Sequence, residues 1–285
     1  MTARLAALFA TAVVAGAITG SAQSPLFTSR VDGVRVDVLV TERGRPVAGL
    51  RPVDFDVLDN GVPQAIDLVD LGDVPLNVVL TLDVSASVDG PKLAALKRAG
   101  TALIGALADA DRAALVTFNR VVIRQVPLTG EIDELRAALD DAESWGDTAL
   151  VDASLGAMLL GDTDAGRTLV VIFSDGVDTA SASHPELVVE TARRVNGVVY
   201  AVSSSEETPA FLRDLTAATG GRVLDIGKTG DPGPAFLEIL QEFRRRYVMT
   251  FTPTGVTSGG WHRLDVRVKR PGTRVQHRAG YFSAK

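Results

Sequence analysis

The sequence predicts an α/β fold: a doubly wound, mostly parallel six-stranded sheet inserted in a composite β-sandwich-like domain built from the N- and C-terminal arms. Three observations lead there. From Leu76 onward, short apolar runs alternate with segments of helical period, the pattern of a parallel sheet covered on both faces. Both ends of the chain read instead with period two, as half-buried strands do. Five oxygen-bearing residues, Asp83, Ser85, Ser87, Thr148 and Asp175, fall in the loops at the predicted strands' carboxyl ends, where open α/β sheets take their ligands.

The 285 residues are 46% hydrophobic and 22% charged, the balance of a folded chain. Arg4, the uncharged stretch Leu5 to Ile18 and the small residues Gly20-Ser21-Ala22 predict an export signal over 1–22, cleaved after about Ala22. The expected location is periplasmic or extracellular. No second apolar stretch reaches the ~18 residues of a membrane span, so none is expected after cleavage. The net charge is −6, and losing Arg4 makes it one unit more negative. Such a surface disfavours nucleic acid and anionic membrane as partners, because phosphate binding needs clustered Lys and Arg. The chain has no cysteine, which excludes disulfides, thiolate metal sites and a cysteine nucleophile.

The N-terminal arm, 23–73, opens with Val34, Val36, Val38 and Val40 alternating with Arg35, Asp37, Leu39 and Thr41, a strand with one buried face. Glu42 to Pro46 turns it. A second run from Phe55 stops at Asp59-Asn60-Gly61, a hairpin signal because both central residues of such a turn need positive φ. The α/β domain spans 74–246. Its strands are predicted at Leu76–Leu82, Ala113–Phe118, Val121–Val126, Thr168–Phe173, Val198–Val202 and Arg222–Ile226. Leu93, Leu96, Leu103, Ile104 and Leu107 mark the first helix, with Pro91 in its first turn; further helices are predicted at Ile132–Ala142, Ala149–Leu160, Pro185–Val195, Pro209–Ala218 and Pro234–Arg246. The link from Phe118 to Val121 is too short for a crossover, so that pair is antiparallel and the third strand an edge. The C-terminal arm, 247–285, returns to period two around a Pro271-Gly272 turn. A last helix running antiparallel to the strands brings the two arms together at the sheet end away from Asp83 and Asp175.

In the strand order 3-2-1-4-5-6, Asp83 and Asp175 end the two strands flanking the switch point, and Thr148 begins a helix in the intervening loop. Oxygen ligands suit hard cations such as Mg²⁺. The hydroxyls of Ser85 and Ser87 add oxygen without charge, leaving a cation under-neutralised and attractive to a carboxylate. Ser and Asp also cap helices in such loops. His184, His262 and His277 are expected as ordinary surface residues, none placed as a base for Ser85 or Ser87. Arg244-Arg245-Arg246 is expected to complement a helix C-terminus. Trp145 is either an exposed contact or half buried, and Asp147 and Asp152 cap or face solvent.

Together Asp83-Val84-Ser85-Ala86-Ser87, Thr148 and Ser174-Asp175-Gly176 resemble the metal-ion-dependent adhesion site of von Willebrand factor A domains. The motifs Gly-Arg-Pro-Val, Asp54-Phe55-Asp56-Val57 and Arg-Ala-Gly-Tyr-Phe look like those of exported von Willebrand A-related proteins common in Acidobacteria. The resemblance implies that Ser85 and Ser87 bind a cation directly, Thr148 directly or through water, and Asp83 and Asp175 largely through water. The cation would be Mg²⁺, or Mn²⁺ or Ca²⁺, and the partner a protein with an exposed Asp or Glu. The resulting expectation is a non-enzymatic, exported, metal-dependent adhesion or interaction module. A metal-independent cell-envelope scaffold or assembly factor is the alternative reading, and a metal-dependent hydrolase the third.

Overall fold

A computed structural model describes residues 33–69, 74–161, 166–227 and 230–283; the expected export segment 1–22 lies outside them. The N-terminal arm contributes β1 (Val34–Glu42), β2 (Arg45–Pro46), β3 (Phe55–Asp59), β4 (Val62–Gln64) and β5 (Asp67–Val69). The α/β part follows as β6 (Leu76–Asp83), α1 (Pro91–Gly105), β7 (Arg112–Phe118), β8 (Val122–Thr129), α2 (Ile132–Asp140), α3 (Leu150–Gly161), β9 (Arg167–Ser174), α4 (Pro185–Ala192), β10 (Gly197–Ser203), α5 (Ala210–Thr219), β11 (Val223–Asp225) and α6 (Pro232–Arg244). The C-terminal arm adds β12 (Tyr247–Phe251), β13 (Gly260–Val268), β14 (Thr273–Gln276) and β15 (Gly280–Ser283).

The central sheet runs β11-β10-β9-β6-β7-β8, which is the expected 3-2-1-4-5-6 order, with only β8 antiparallel. Every residue of β6 is buried, because helices cover both faces of the strand. Val78, Leu80 and Leu82 pack with Leu96, Leu103, Phe236 and Phe243 on one side. Val79 packs with Leu150, Met158 and Leu212 on the other. A buried aliphatic side chain contributes about 1.5–3 kcal/mol, so this doubly covered strand anchors the sheet.

Strands of the two arms interleave in a pair of antiparallel sheets. One has β1 between β12 and β14, with β5 beyond β12; the other runs β15-β13-β3-β4. Val36, Val38, Val40, Phe55, Val57, Met249, Leu264 and Val266 form the apolar layer between them, and the Phe55 and Tyr247 rings meet edge-on at 5.4 Å. The β3–β4 turn uses Asn60 and Gly61 at φ 48° and 85°, as the Asn-Gly signal requires. Leu39 departs from the expected alternation. It is 2% exposed, so β1 is covered on both faces there.

The arms meet the α/β part at the amino ends of the parallel strands. Arg167, at the start of β9, donates from Nε and Nη2 to Asp37 Oδ1 at 2.8 and 2.6 Å and from Nη2 to the Phe243 carbonyl. Arg246 donates to the Tyr200 hydroxyl at 2.7 Å and to the carbonyls of Gly220 and Asp37. Arg278 bridges to the Arg193 carbonyl and to Asn196. Gly220 closes α5 at φ 79°, and a Cβ there would lie 2.5 Å from the His277 backbone, so the joint admits only glycine.

Two expectations for charged residues are corrected. Arg246, just past α6, is fully buried and donates to carbonyls at the arm junction, and Arg244 pairs with Asp111, while Arg245 stays exposed. His262 is 1% exposed. Its Nδ1 sits 2.8 Å from Asp59, which also accepts from Tyr281 at 2.6 Å, so this polar cluster ties β3, β13 and β15 together inside the sandwich. His277 is partly buried, with burial holding its pKa below the ordinary value; the Val266 amide donates to Nε2 and Nδ1 faces the Arg278 carbonyl, an arrangement that suits the neutral ring.

Candidate metal centre

β6 delivers Asp83 to the carboxyl edge of the sheet, and the chain leaves in extended form through Ser85 into a short 3-10 turn, Ala86–Val88. Asp83 is fully buried. Its Oδ1 accepts the Ser85 amide at 2.9 Å, and its Oδ2 accepts the Ser174 hydroxyl at 2.8 Å. Parallel pairing of β6 with β9 matches Leu82 with Phe173, so Ser174 and Asp175 arrive beside Asp83 as the next residues of the neighbouring strand. The hydroxyls of Ser85 and Ser87 lie 3.1 Å apart, and Ser87 donates to Asp175 Oδ1 at 2.6 Å. Lys92, in the first turn of α1, donates to Asp175 Oδ2 at 2.7 Å and to the Ser87 carbonyl at 3.1 Å.

Thr148 comes from the loop before α3, and that loop is laced to the Asp83 loop. The Trp145 amide donates to the Val84 carbonyl, and the Ala86 amide to the Gly146 carbonyl, both at 3.0 Å. On its far side Thr148 is held by the segment after Asp175: its amide donates to Thr179 Oγ1, and its carbonyl accepts from the Thr179 and Ala180 amides. Asp178 accepts the Val151 amide at the start of α3, and Asp152 accepts the Ala182 and Ser183 amides. These carboxylates satisfy loop and helix-end donors that would otherwise be orphaned. Asp152 thus serves the segment after Asp175, while Asp147 is exposed.

Asp83, Ser85, Ser87 and Asp175 form one hydrogen-bonded cluster, and Thr148 stands on the loop stitched to the segments that follow Asp83 and Asp175. Trp145 (48% exposed) and Val177 (65%) belong to the two loops that bear Thr148 and Asp175. Sequence reasoning missed Ser174 and Lys92. Ser174 was legible as the hydroxyl beside Asp175 on a strand adjacent to Asp83. Lys92 carried only a faint signal, a cation in the first turn of a helix, where the dipole disfavours it.

The donor set suits a hard divalent cation. Burial pushes the Asp83 pKa up to about 6, against hydrogen bonds from Ser85 and Ser174 that lower it, and nearby Asp175 adds repulsion. A buried carboxylate next to a second one is stabilised by added positive charge. Among the described residues no three His, Cys, Asp or Glu side chains gather as a metal cluster. The oxygens here are mostly hydroxyls, the chemistry that Mg²⁺ and Ca²⁺ accept with water completing the shell.

A six-stranded doubly wound sheet with an oxygen-rich cluster at its switch point defines a class of α/β domain with its candidate ligand site at the strands' carboxyl ends. The model of the von Willebrand factor type A domain matches residues 77–230, more than half of the chain, and the chain belongs to that family. Inter-alpha-trypsin inhibitor heavy chain H4 of Sus scrofa is 24% identical over 185 residues, 59% of this chain and 20% of that protein; the chain spans about a fifth of that relative's length. The solved structure of a von Willebrand factor type A protein from Catenulispora acidiphila is similar at 15% identity and a TM-score of 0.52, covering 86% of this chain and 73% of that one. Proximal thread matrix protein 1 from the mussel byssus, in a structure with a zinc-occupied MIDAS motif, is similar at 17% identity and a TM-score of 0.54, covering 66% of this chain and 50% of that one. At these identities the structural likeness is one of fold. Among the described residues, no helix is long and apolar enough to cross a membrane.

Proposed function

We propose that this chain is an exported protein-binding module that holds a divalent cation at Asp83, Ser85, Ser87, Thr148 and Asp175 and uses it to capture an Asp or Glu side chain of a partner protein. Residues 1–22 serve as the export signal, 74–246 carry the site, and 23–73 with 247–285 form the supporting arms. The observation that carries the reading is the unbroken run of hydroxyl and carboxylate oxygens from Ser85 through Ser87 to Asp175 above buried Asp83. A bound cation supplies positive charge toward an incoming carboxylate. The protein's part is to fix the oxygens: Ser174 and the Ser85 amide hold Asp83, and the lacing to Val84 and Ala86 holds the Thr148 loop. Mg²⁺ is the proposed cation, with Mn²⁺ or Ca²⁺ as substitutes of the same hard-oxygen preference. The zinc-occupied motif of the mussel protein supports a divalent ion in a domain of this fold.

Calorimetry tests the reading. Chelator-treated protein is expected to bind one Mg²⁺ or Mn²⁺ per chain and to gain thermal stability, about 2.7 kcal/mol at a hundredfold excess over Kd. Asp83→Ala combined with Ser85→Ala is expected to lose both effects. Absence of binding at millimolar metal, or binding that survives the double substitution, overturns the proposal.

A further inference from the structure

Both oxygens of Asp175 are engaged, Oδ1 by the neutral Ser87 hydroxyl and Oδ2 by the Lys92 ammonium. The Asp175 side chain is 2% exposed, whereas that of Lys92 is 44% exposed. The ammonium therefore lies between a buried carboxylate and solvent, on the open side of the cluster. Its position is unfavourable for the helix itself, since the amino end of α1 carries a positive partial charge and its first turn holds no acid to offset it. The contacts that justify Lys92 there are with Asp175 and the Ser87 carbonyl, both in the cluster. Asp83 and Asp175 bring two negative charges, and Lys92 cancels one.

Resting on the function proposed above, we infer that Lys92 is the specificity-determining residue of this site: its ammonium weakens the binding of a cation alone and makes firm binding conditional on a carboxylate brought by the partner. A cation held by two carboxylates and an adjacent ammonium meets a smaller net negative charge than the same oxygens would present without Lys92. An incoming Asp or Glu restores the missing charge. One of its oxygens can complete the cation's shell, and the other can accept from the exposed ammonium, which has three donors and makes two bonds within the cluster. Metal and acidic ligand thus bind with mutual reinforcement rather than independently.

The experiment measures Mn²⁺ affinity by calorimetry for the wild type, Lys92→Gln, Lys92→Met and Lys92→Arg, first with Mn²⁺ alone and then with acetate as the carboxylate probe. Melting temperatures check that each variant is folded. Both neutral variants are expected to bind Mn²⁺ alone about tenfold more tightly, the size of a one-unit electrostatic perturbation, and to lose the strengthening that acetate gives the wild type. Lys92→Arg, which keeps the charge, is expected to behave as the wild type. Equal or weaker Mn²⁺ binding in the neutral variants beside a binding wild type overturns this inference and leaves the metal reading standing. If the wild type binds no Mn²⁺ at millimolar concentration, both readings fall.

Discussion

At the amino ends of the central strands, Arg167, Arg246 and Arg278 are buried, and carbonyls, a tyrosine hydroxyl and the Asp37 carboxylate take their donors. At the carboxyl ends the buried charge is negative, and hydroxyls hold it: Ser174 on Asp83 and Ser87 on Asp175. Arginine at the first end meets fixed protein partners that engage its fork and tie the arms to the α/β part. Carboxylate at the second end meets light hydroxyl partners and one half-exposed lysine, so a group from outside can still improve the electrostatics. Rigidity belongs to the closed end and responsiveness to the open one.

Substitutions at the two ends should therefore differ most in stability. Asp37→Ala leaves the Arg167 guanidinium, 1% exposed, without its carboxylate. A loss of about 3–5 kcal/mol is expected from denaturant unfolding, and a loss near that of an average surface substitution would break the contrast. A pH effect should be smaller and come from the junction as well. Burial lowers the His277 pKa below 6.5, with Arg278, Asp265 and Arg246 as the groups acting on it. The native ring stays neutral while the unfolded chain takes up a proton, so its stabilising contribution is complete above about 6.5 and declines as the pH falls through that value. Melting curves between pH 7.5 and 5.5 should show a shallower decline for His277→Gln than for the wild type; parallel slopes would remove His277 from the account. The smallest change in stability is expected at the open end. Ser87→Ala removes an exposed hydroxyl and should alter the unfolding free energy by about 0.5 kcal/mol or less, while weakening Mn²⁺ uptake in calorimetry. A large stability loss there would mean that the metal end is as rigidly built as the junction.

The layered sheet and the approach of Asp83 to Asp175 were legible in the sequence because they follow from local periodicity plus one topological rule. β6 is a continuous apolar run, and the switch point follows from its place in the strand order. The buried charges were not legible. Asp37 and Arg167 are 130 residues apart, and Asp59 and His262 are 203 apart; nothing in the neighbourhood of any of these residues announces a partner so distant. Arg246 looked like a helix-end cation because its local setting is one, and only the fold turns that end inward. Lys92 was hidden for a related reason: lysine in an exposed helical turn is ordinary until a carboxylate from β9 lies beside it.

The interleaving of the arms also bears on how the chain folds. Arg246 reaches the Asp37 carbonyl across 209 residues of sequence, and β1 pairs with β12 over a comparable span. Closing so long a loop in an open chain costs entropy before any strand contact repays it. A folded α/β part removes most of that cost by bringing β1 and β12 to the same end of one rigid body. The sandwich is therefore expected to close after the α/β part, which pulsed hydrogen exchange during refolding would read as later protection of β1 and β12 than of β6 and β9.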